Sequence, residues 1–159
     1  MEKENNPFEY QIDAIDEQIL QLLQKNAKLG SKEIAAQVAL TVTPTYERIR
    51  RLEKHGFIKG YVAILDKRKQ GKNLQVLCNI QLKSHQAEML TLFESEVIKL
   101  EEVNSCYHIA GNFDYLLVIE MRDMDEYAHF LKEKLATIPH ITTVQSSFVM
   151  RTLKEEFEC

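Results

Sequence analysis

The feature that most constrains the fold is a change of pattern at residues 66–73. This stretch, Asp-Lys-Arg-Lys-Gln-Gly-Lys-Asn, is polar and interrupts every hydrophobic periodicity, which is typical of a linker. Before it, apolar residues recur at helical spacing, and after it β-prone and helical segments alternate. A chain of 159 residues accommodates two small domains. We place them at residues 1–62 and 74–159, with a hinge strand and linker at 63–73.

Three short helices are predicted in the first domain. They cover residues 13–27, 31–38 and 43–55, and a β-prone stretch follows at 57–65. Asp13 and Ser31 are suitable caps for the first two helices. Thr43-Pro44 is a start signal for the third, because a hydroxyl cap precedes proline at the first helical position, and Gly56 ends it. This order predicts a winged helix-turn-helix.

The second domain has the predicted order βαββαβ, which is ferredoxin-like. Strands are expected at 74–82, 103–110, 115–121 and 141–153, and helices at 84–100 and 123–138. Asp123 caps the second of these helices, with Glu126 as its capping-box partner. The fold class is therefore α+β, with a helical domain followed by a sheet covered by two helices.

Two strands of this sheet are apolar on both faces. Val76-Leu77-Cys78 and Leu116-Leu117-Val118-Ile119 place apolar side chains at successive positions, which alternate between the faces. Two helices cover only one face of a four-stranded sheet. We therefore expect the other face to pack against a second copy of the chain.

The third helix carries a cationic outer face. The chain has a net charge of −4, yet residues 41–72 hold nine basic and three acidic side chains, a local charge of +6. Steps of 100° place Arg50, Arg51 and Lys54 opposite Ile49 and Leu52. An ordinary solvated face is the alternative, but the two preceding helices favour contact with a DNA groove. The candidate DNA-contacting residues are Thr43, Thr45, Tyr46, Glu47, Arg48, Arg50, Arg51, Lys54 and Lys59.

The turn Gly111-Asn112-Phe113-Asp114 is the candidate ligand site. A glycine and polar residues between buried strands leave backbone N–H groups for a carboxylate. Asp114 could then receive an ammonium group or fix the turn, and an amino acid carries both a carboxylate and an ammonium. A plain hairpin turn has the same composition, so the residues alone leave both interpretations open.

Patterns typical of enzymes, cofactors and membranes are not found. The five histidines lack metal-binding spacing, and Cys106 with His108 supplies only two ligands, too few for zinc. No nucleophile has a recognisable base, and the five glycines form neither common phosphate-binding loop. Three scattered cysteines and the absence of long apolar runs suggest a cytoplasmic protein without a membrane segment. We therefore expect a protein that is not an enzyme and has no cofactor or metal.

Three segments resemble the Lrp/AsnC (leucine-responsive, feast/famine) family of transcription regulators. Leu40–Tyr61 is similar to the recognition-helix segment of the family, Ile12–Leu20 to its first helix, and His108–Leu117 to the turn of its effector-binding domain. The resemblance covers about residues 10–154 in order. It implies an N-terminal DNA-binding domain and a C-terminal domain of the RAM type, which oligomerises and binds a small effector.

The resemblance also implies partners and site residues. In the family the effector pocket lies between subunits and is lined by the turn and the last strand. The candidate effector residues are therefore Gly111, Asn112, Asp114, Tyr115, Thr143, Gln145 and Ser146. The expected partners are double-stranded DNA, an amino acid such as leucine, and further copies forming a homodimer that assembles to an octamer.

Two other functions remain open at this point. One is an enzyme similar to sirohaem decarboxylases, which share the architecture, and the other is a nucleoid protein that packs DNA with little sequence preference. The chain departs from the family pattern at His140, where glycine is usual, and at Asn112, where an acidic residue is common. Both positions lie near the expected effector site, so they bear on the identity of the effector.

Overall fold

The computed structural model describes residues 10–154. Its helices are α1 (Ala14–Lys25), α2 (Ser31–Gln37), α3 (Val42–Lys54), α4 (Ala87–Val97) and α5 (Met124–Glu133), and a 3-10 turn, Leu135–Thr137, follows α5. Its strands are β1 (Leu74–Leu82), β2 (Val103–His108), β3 (Tyr115–Met121) and β4 (Ile141–Phe148). The chain divides into two compact units between Ile64 and Leu65, within the segment predicted to connect the domains.

The first unit is a three-helix domain with its own core. Asp13 caps α1 as predicted, because its carboxylate accepts the N–H groups of Ile15 at 3.0 Å and Asp16 at 2.9 Å. The Asp16 carboxylate accepts the N–H of Asp13 in return, which completes a capping box. The core residues, contributed by all three helices, are Ile19, Leu23, Ile34, Val38 and Leu52.

The starts of α2 and α3 differ from the prediction by one or two residues. Gly30, not Ser31, precedes α2, and the Glu33 carboxylate accepts its N–H at 2.8 Å. Thr41, not Thr43, precedes α3, so Pro44 is its third residue. A proline is tolerated there because the first-turn N–H groups have no partner within the helix. Gly56 follows the end of α3 with a φ of +76°, as its role as a stop requires.

The β-prone stretch at 57–65 is not a strand in the described chain. The hinge strand that was expected at the start of the segment 63–73 is also not formed there, so both predictions are wrong for the single chain. No described backbone hydrogen bond involves residues 61–65. The side chains of Val62, Ile64 and Leu65 are all more than half exposed. A strand needs a neighbour that accepts its ladder bonds, and residues 10–154 provide none for this stretch.

The second unit is the predicted ferredoxin-like sheet. Its strands lie in the order β2-β3-β1-β4, and all neighbouring pairs are antiparallel. The bounds of β1 and β3 match the prediction, whereas β2, β4 and both helices are shorter than predicted. Asp123 caps α5 by accepting the Glu126 N–H, but the Glu126 carboxylate accepts the N–H of Arg122 rather than that of Asp123.

The sheet has one covered and one uncovered face. Val76, Cys78 and Leu117 are fully buried, and they pack with Phe93 of α4 and Phe130 of α5. We call this the inner face. The outer face carries the residues between them, which include Leu77, Leu116 and Val118, all partly exposed. As expected, both faces are apolar and the two helices cover only one. Within the described range, no helix is both long enough and apolar enough to span a membrane.

Candidate DNA interface and ligand turn

One side of α3 is exposed and the other is buried. The exposed candidates on α3 are Thr43, Tyr46, Glu47, Arg50, Arg51 and Lys54, and Lys59 is exposed beyond the end of the helix. Thr45 and Leu52 lie on the buried side. The exposed side therefore combines three cations with hydroxyl and aromatic groups, a composition that suits contact with phosphates and base edges.

Arg50 is available for an external partner. Its guanidinium carbon lies 5.9 Å from the centroid of the Tyr46 ring, within the range of a cation–π interaction. It forms no ion pair with any described residue. An arginine with unoccupied donors on this side of a recognition helix can bind guanine through two hydrogen bonds.

Two predicted contacts lie elsewhere. Arg48 faces α1, where its Nη1 lies 2.7 Å from both Asp13 Oδ2 and Asp16 Oδ1. The Thr45 side chain is fully buried, and its hydroxyl donates to the Thr41 carbonyl at 2.9 Å. The structure therefore separates Arg48 and Thr45 from the exposed side. Angular position alone could not show this, because Arg48 lies on the flank of the helix.

The acceptors of Arg48 are ionised. Burial opposes the ionisation of Asp16, but hydrogen bonds from Tyr10, Arg48 and the Asp13 N–H outweigh it, so the pKa of Asp16 lies below its ordinary value. The pKa of Asp13 is lowered first by the N–H of Asp16 and then by Arg48. The pKa of Arg48 is raised by the same two carboxylates. These charges hold α3 against α1.

At the ligand turn, the Asp114 carboxylate is already occupied. Its Oδ2 accepts the Leu82 N–H at 2.7 Å, and its Oδ1 lies 2.6 Å from His85 Nε2. The side chain of Asp114 is largely buried. Asp114 therefore fixes the turn to the end of β1. The sequence alone did not single out His85, although the antiparallel pairing of β1 with β3 brings the residues that follow β1 beside the turn.

Tyr115 and Ser146 face the inner side of the sheet. Tyr115 is 1% exposed, and its hydroxyl donates to Glu94 at 2.8 Å. Its pKa is raised by burial and then by that carboxylate. Ser146 pairs with Cys78 and contacts the hydroxyl of Tyr127. Both residues therefore belong to the packing between sheet and helices.

The remaining candidates are exposed at one end of the sheet. Gly111 and Asn112 lie at the tip of the turn, where Gly111 has a φ of +149°. Thr143 and Gln145 lie on the outer face, and Thr143 donates to the Gln81 side chain at 3.3 Å. The two groups share one end of β1, because Gln81 pairs with Thr143 next to the pair of Ile80 with Tyr115.

No group of three or more His, Cys, Asp or Glu side chains in residues 10–154 could hold a metal ion. Cys106 pairs with Leu117 on the inner side. The His108 ring stacks on Tyr115 with centroids 4.7 Å apart. These contacts are those of ordinary strand packing.

Two family models match the chain. Residues 75–158 match the Lrp/AsnC ligand binding domain, and residues 12–59 match a winged helix-turn-helix DNA-binding domain. The leucine-responsive regulatory protein of Klebsiella pneumoniae is 38% identical over 144 residues, covering 91% of this chain and 88% of that protein. The protein of the same name from Escherichia coli K12 is 37% identical over the same coverage.

Solved structures show the same architecture. The transcriptional regulator NMB0573 of Neisseria meningitidis, in complex with L-Met, has a TM-score of 0.87 and 32% identity, covering 91% of this chain and 94% of that one. An AsnC family transcriptional regulator from Agrobacterium tumefaciens also has a TM-score of 0.87, with 34% identity, covering 93% of this chain and 96% of that one.

Proposed function

The chain belongs to the Lrp/AsnC family of metabolite-responsive, DNA-binding transcription regulators, and on that premise we propose that the exposed side of α3 contacts its operator. The observation that carries this proposal is the contrast between Arg48 and Arg50. Arg48 is paired with two carboxylates inside the domain, whereas Arg50 points outward without an ionic partner among the described residues. Arg50 is therefore available to bind a base or a phosphate.

Selection of bound duplexes from a random-sequence pool tests this proposal. The wild-type chain should enrich a common sequence, and the selected duplex should outcompete a scrambled one by at least about a thousandfold, as specific regulators do. Equal competition by the scrambled duplex would instead favour a nucleoid-packing protein. Genome-wide immunoprecipitation with and without amino-acid supplementation would then locate the operators and show whether occupancy responds to the effector.

For the effector, we propose a free amino acid at the exposed turn. In the described chain the N–H groups of Gly111 and Asn112 donate to no other residue, so they can bind a carboxylate. Asp114 is occupied, so the ammonium group needs other acceptors, and the side chains of Thr143 and Gln145 lie at the same end of the sheet. The complex of the N. meningitidis regulator with L-Met supports an amino acid with an apolar side chain, such as leucine or methionine.

Calorimetric titration with all twenty amino acids tests the effector proposal. Gln145→Ala should weaken binding, whereas Gln75→Ala, on the same face at the other end of β1, should not. Binding by none of the twenty would contradict the proposal. The relatives are named as regulators, and we propose that this chain has no enzymatic activity. A purified sample that carries a coloured porphyrin would favour the alternative of a sirohaem-modifying enzyme.

We further propose that the chain assembles through the outer face of its sheet into a homodimer, and that dimers form an octamer, as family resemblance implies. Leu77 and Val118 are directly paired on this face, and apolar pairs on an uncovered sheet favour packing against a second sheet. The exposed, unpaired stretch at 61–65 offers a second contact, since its backbone groups can pair with those of another copy. We place the protein in the cytoplasm, where prokaryotic DNA lies.

A further inference from the structure

Tyr10 connects the segment preceding α1 to the C-terminal end of α3. Its ring stacks on the His55 ring with centroids 4.9 Å apart and an interplanar angle of 21°. The Arg51 guanidinium carbon lies 5.5 Å from the centroid of the Tyr10 ring. The Tyr10 hydroxyl donates to Asp16 Oδ2 at 2.6 Å. One side chain therefore contacts a cation of the exposed side of α3 and a carboxylate that holds α3 against α1.

These contacts restrict the Arg51 side chain. A guanidinium stacked on an aromatic face is attracted by the ring and loses part of its rotamer freedom. The Tyr10 side chain is itself held in place, because its ring stacks on His55 and its hydroxyl donates to Asp16. Its pKa is raised by burial and then by that carboxylate, so the hydroxyl stays a donor at neutral pH.

The position of Arg51 on α3 indicates which part of DNA it meets. Arg51 lies in the last turn of α3 and is rotated about 100° from Arg50. A cation at the flank of the C-terminal end is suited to a phosphate rather than to a base edge.

We propose that Tyr10 is a positioning residue of the DNA interface, which holds Arg51 where it contacts a phosphate. The segment before α1 is then part of the DNA-binding surface although Tyr10 itself need not touch DNA. This inference rests on the proposed function and adds to it a residue that lies outside α3.

The test measures affinity for the duplex selected by the wild-type chain, over a range of salt concentrations. Tyr10→Phe keeps the ring and should bind within about twofold of wild type. Tyr10→Leu should weaken binding about 2- to 5-fold, the fold-change that corresponds to a cation–π contribution of about 0.5–1 kcal/mol. Arg51→Ala should weaken binding at least as much, because it removes the phosphate contact itself. Arg51→Ala should also lower the salt slope by about 0.9, the value for one phosphate, and Tyr10→Leu should lower it in the same direction.

A double-variant comparison separates positioning from a general effect on the fold. Tyr10→Leu should cause no further loss of affinity in an Arg51→Ala background, because its only effect on DNA passes through Arg51. An equal loss in both backgrounds, or a loss of affinity without any change of salt slope in Tyr10→Leu, would overturn the proposal. Thermal unfolding of each variant identifies those folded at the assay temperature.

If Tyr10→Leu does not fold, Arg51→Lys takes its place, because it keeps the charge and loses the planar stacking on Tyr10. The proposal then requires Arg51→Lys to bind more weakly than wild type, and equal binding would overturn it. Failure of the proposed function is distinguishable from these outcomes. It would show as no enriched duplex from the random pool, or as unchanged binding by Arg50→Ala.

Discussion

Leu117 and Val118 are consecutive residues of β3 that lie on opposite faces of the sheet. Leu117 is fully buried against the helices, whereas Val118 faces outward opposite Leu77. Substitutions at these two residues should therefore affect folding and assembly separately. Val118→Lys should give a folded protein that no longer associates, because a charge is costly in an apolar interface, whereas Leu117→Lys should unfold the second domain. Sedimentation and circular dichroism distinguish the two results. A wild-type chain that is a folded monomer at micromolar concentration would contradict the outer-face dimer.

Arg48→Ala should destabilise the first domain. Breaking a buried pair costs about 3–5 kcal/mol when a charge is left without a partner. Asp16 is 1% exposed, but it keeps the hydrogen bonds from Tyr10 and the Asp13 N–H, and Asp13 is accessible to water. We therefore expect a loss below that range, about 1–3 kcal/mol. Arg50→Ala is the matched control on the same helix and should leave the free energy of unfolding unchanged. Chemical denaturation measures both, and equal stability of the two variants would show that the Arg48 pair contributes little.

Arg50→Ala should instead lower DNA affinity. Loss of a base contact is expected to cost about 1–3 kcal/mol and to relax the preference at one base pair. Lys54→Ala and Lys59→Ala should weaken all duplexes alike and flatten the dependence of affinity on salt. Footprinting and binding isotherms with Arg50→Ala show whether the protected bases change. An unchanged footprint with unchanged affinity would remove Arg50 from the interface.

The first domain should lose stability in acid. The pKa of Asp16 in the folded chain lies below its ordinary value of 3.8. Its ionised form therefore stabilises the fold fully above about pH 4, and this contribution is lost as the pH falls through the lowered pKa. Asp16→Asn lacks the carboxylate, so its unfolding temperature should approach that of wild type as the pH falls below 4. Parallel curves for the two proteins from pH 7 to pH 2 would contradict this linkage.

Asp114→Ala should destabilise the turn itself, in addition to any effect on ligand binding. The substitution leaves the Leu82 N–H without its acceptor, and an unsatisfied buried donor costs about 1–3 kcal/mol. We expect lower stability together with weaker amino-acid binding. Gln145→Ala, an exposed change on β4, should weaken binding at constant stability. Calorimetry combined with thermal unfolding separates the two effects, and unaltered stability of Asp114→Ala would show that the carboxylate does not fix the turn.

Much of the fold could be predicted because its signals are local. The apolar, β-prone runs at 74–82 and 115–121 match β1 and β3 to the residue, and Asp13 and Asp123 cap the helices that they were expected to cap. The prediction of a strand at 57–65 was wrong, because β-propensity measures how well a residue suits a strand and does not show whether a neighbouring strand is present. Whether a strand forms there depends on contacts that the described part of the chain does not provide.

The candidate site was harder to predict because charge and polarity do not specify a partner. Arg48 and Arg50 are the same residue type two positions apart, yet one pairs with carboxylates inside the domain and the other faces outward. Asp114 was recognised as important to the turn, but its partners Leu82 and His85 come from β1 and the residues after it. These contacts depend on how helices and strands pack together in three dimensions, and a local sequence pattern does not contain that information.

The ion pair of Arg48 with α1 also limits how the specificity of this regulator could be re-engineered. If α3 of this chain is moved alone into another regulator, Arg48 arrives without its carboxylate acceptors. If α3 is instead replaced by a recognition helix that lacks this arginine, Asp16 is left buried without a cation. Either mismatch would appear as misfolding rather than as altered operator choice. The transplantable module is therefore the continuous span from Tyr10 to Lys54, in which the helix that contacts DNA travels together with the carboxylates that orient it.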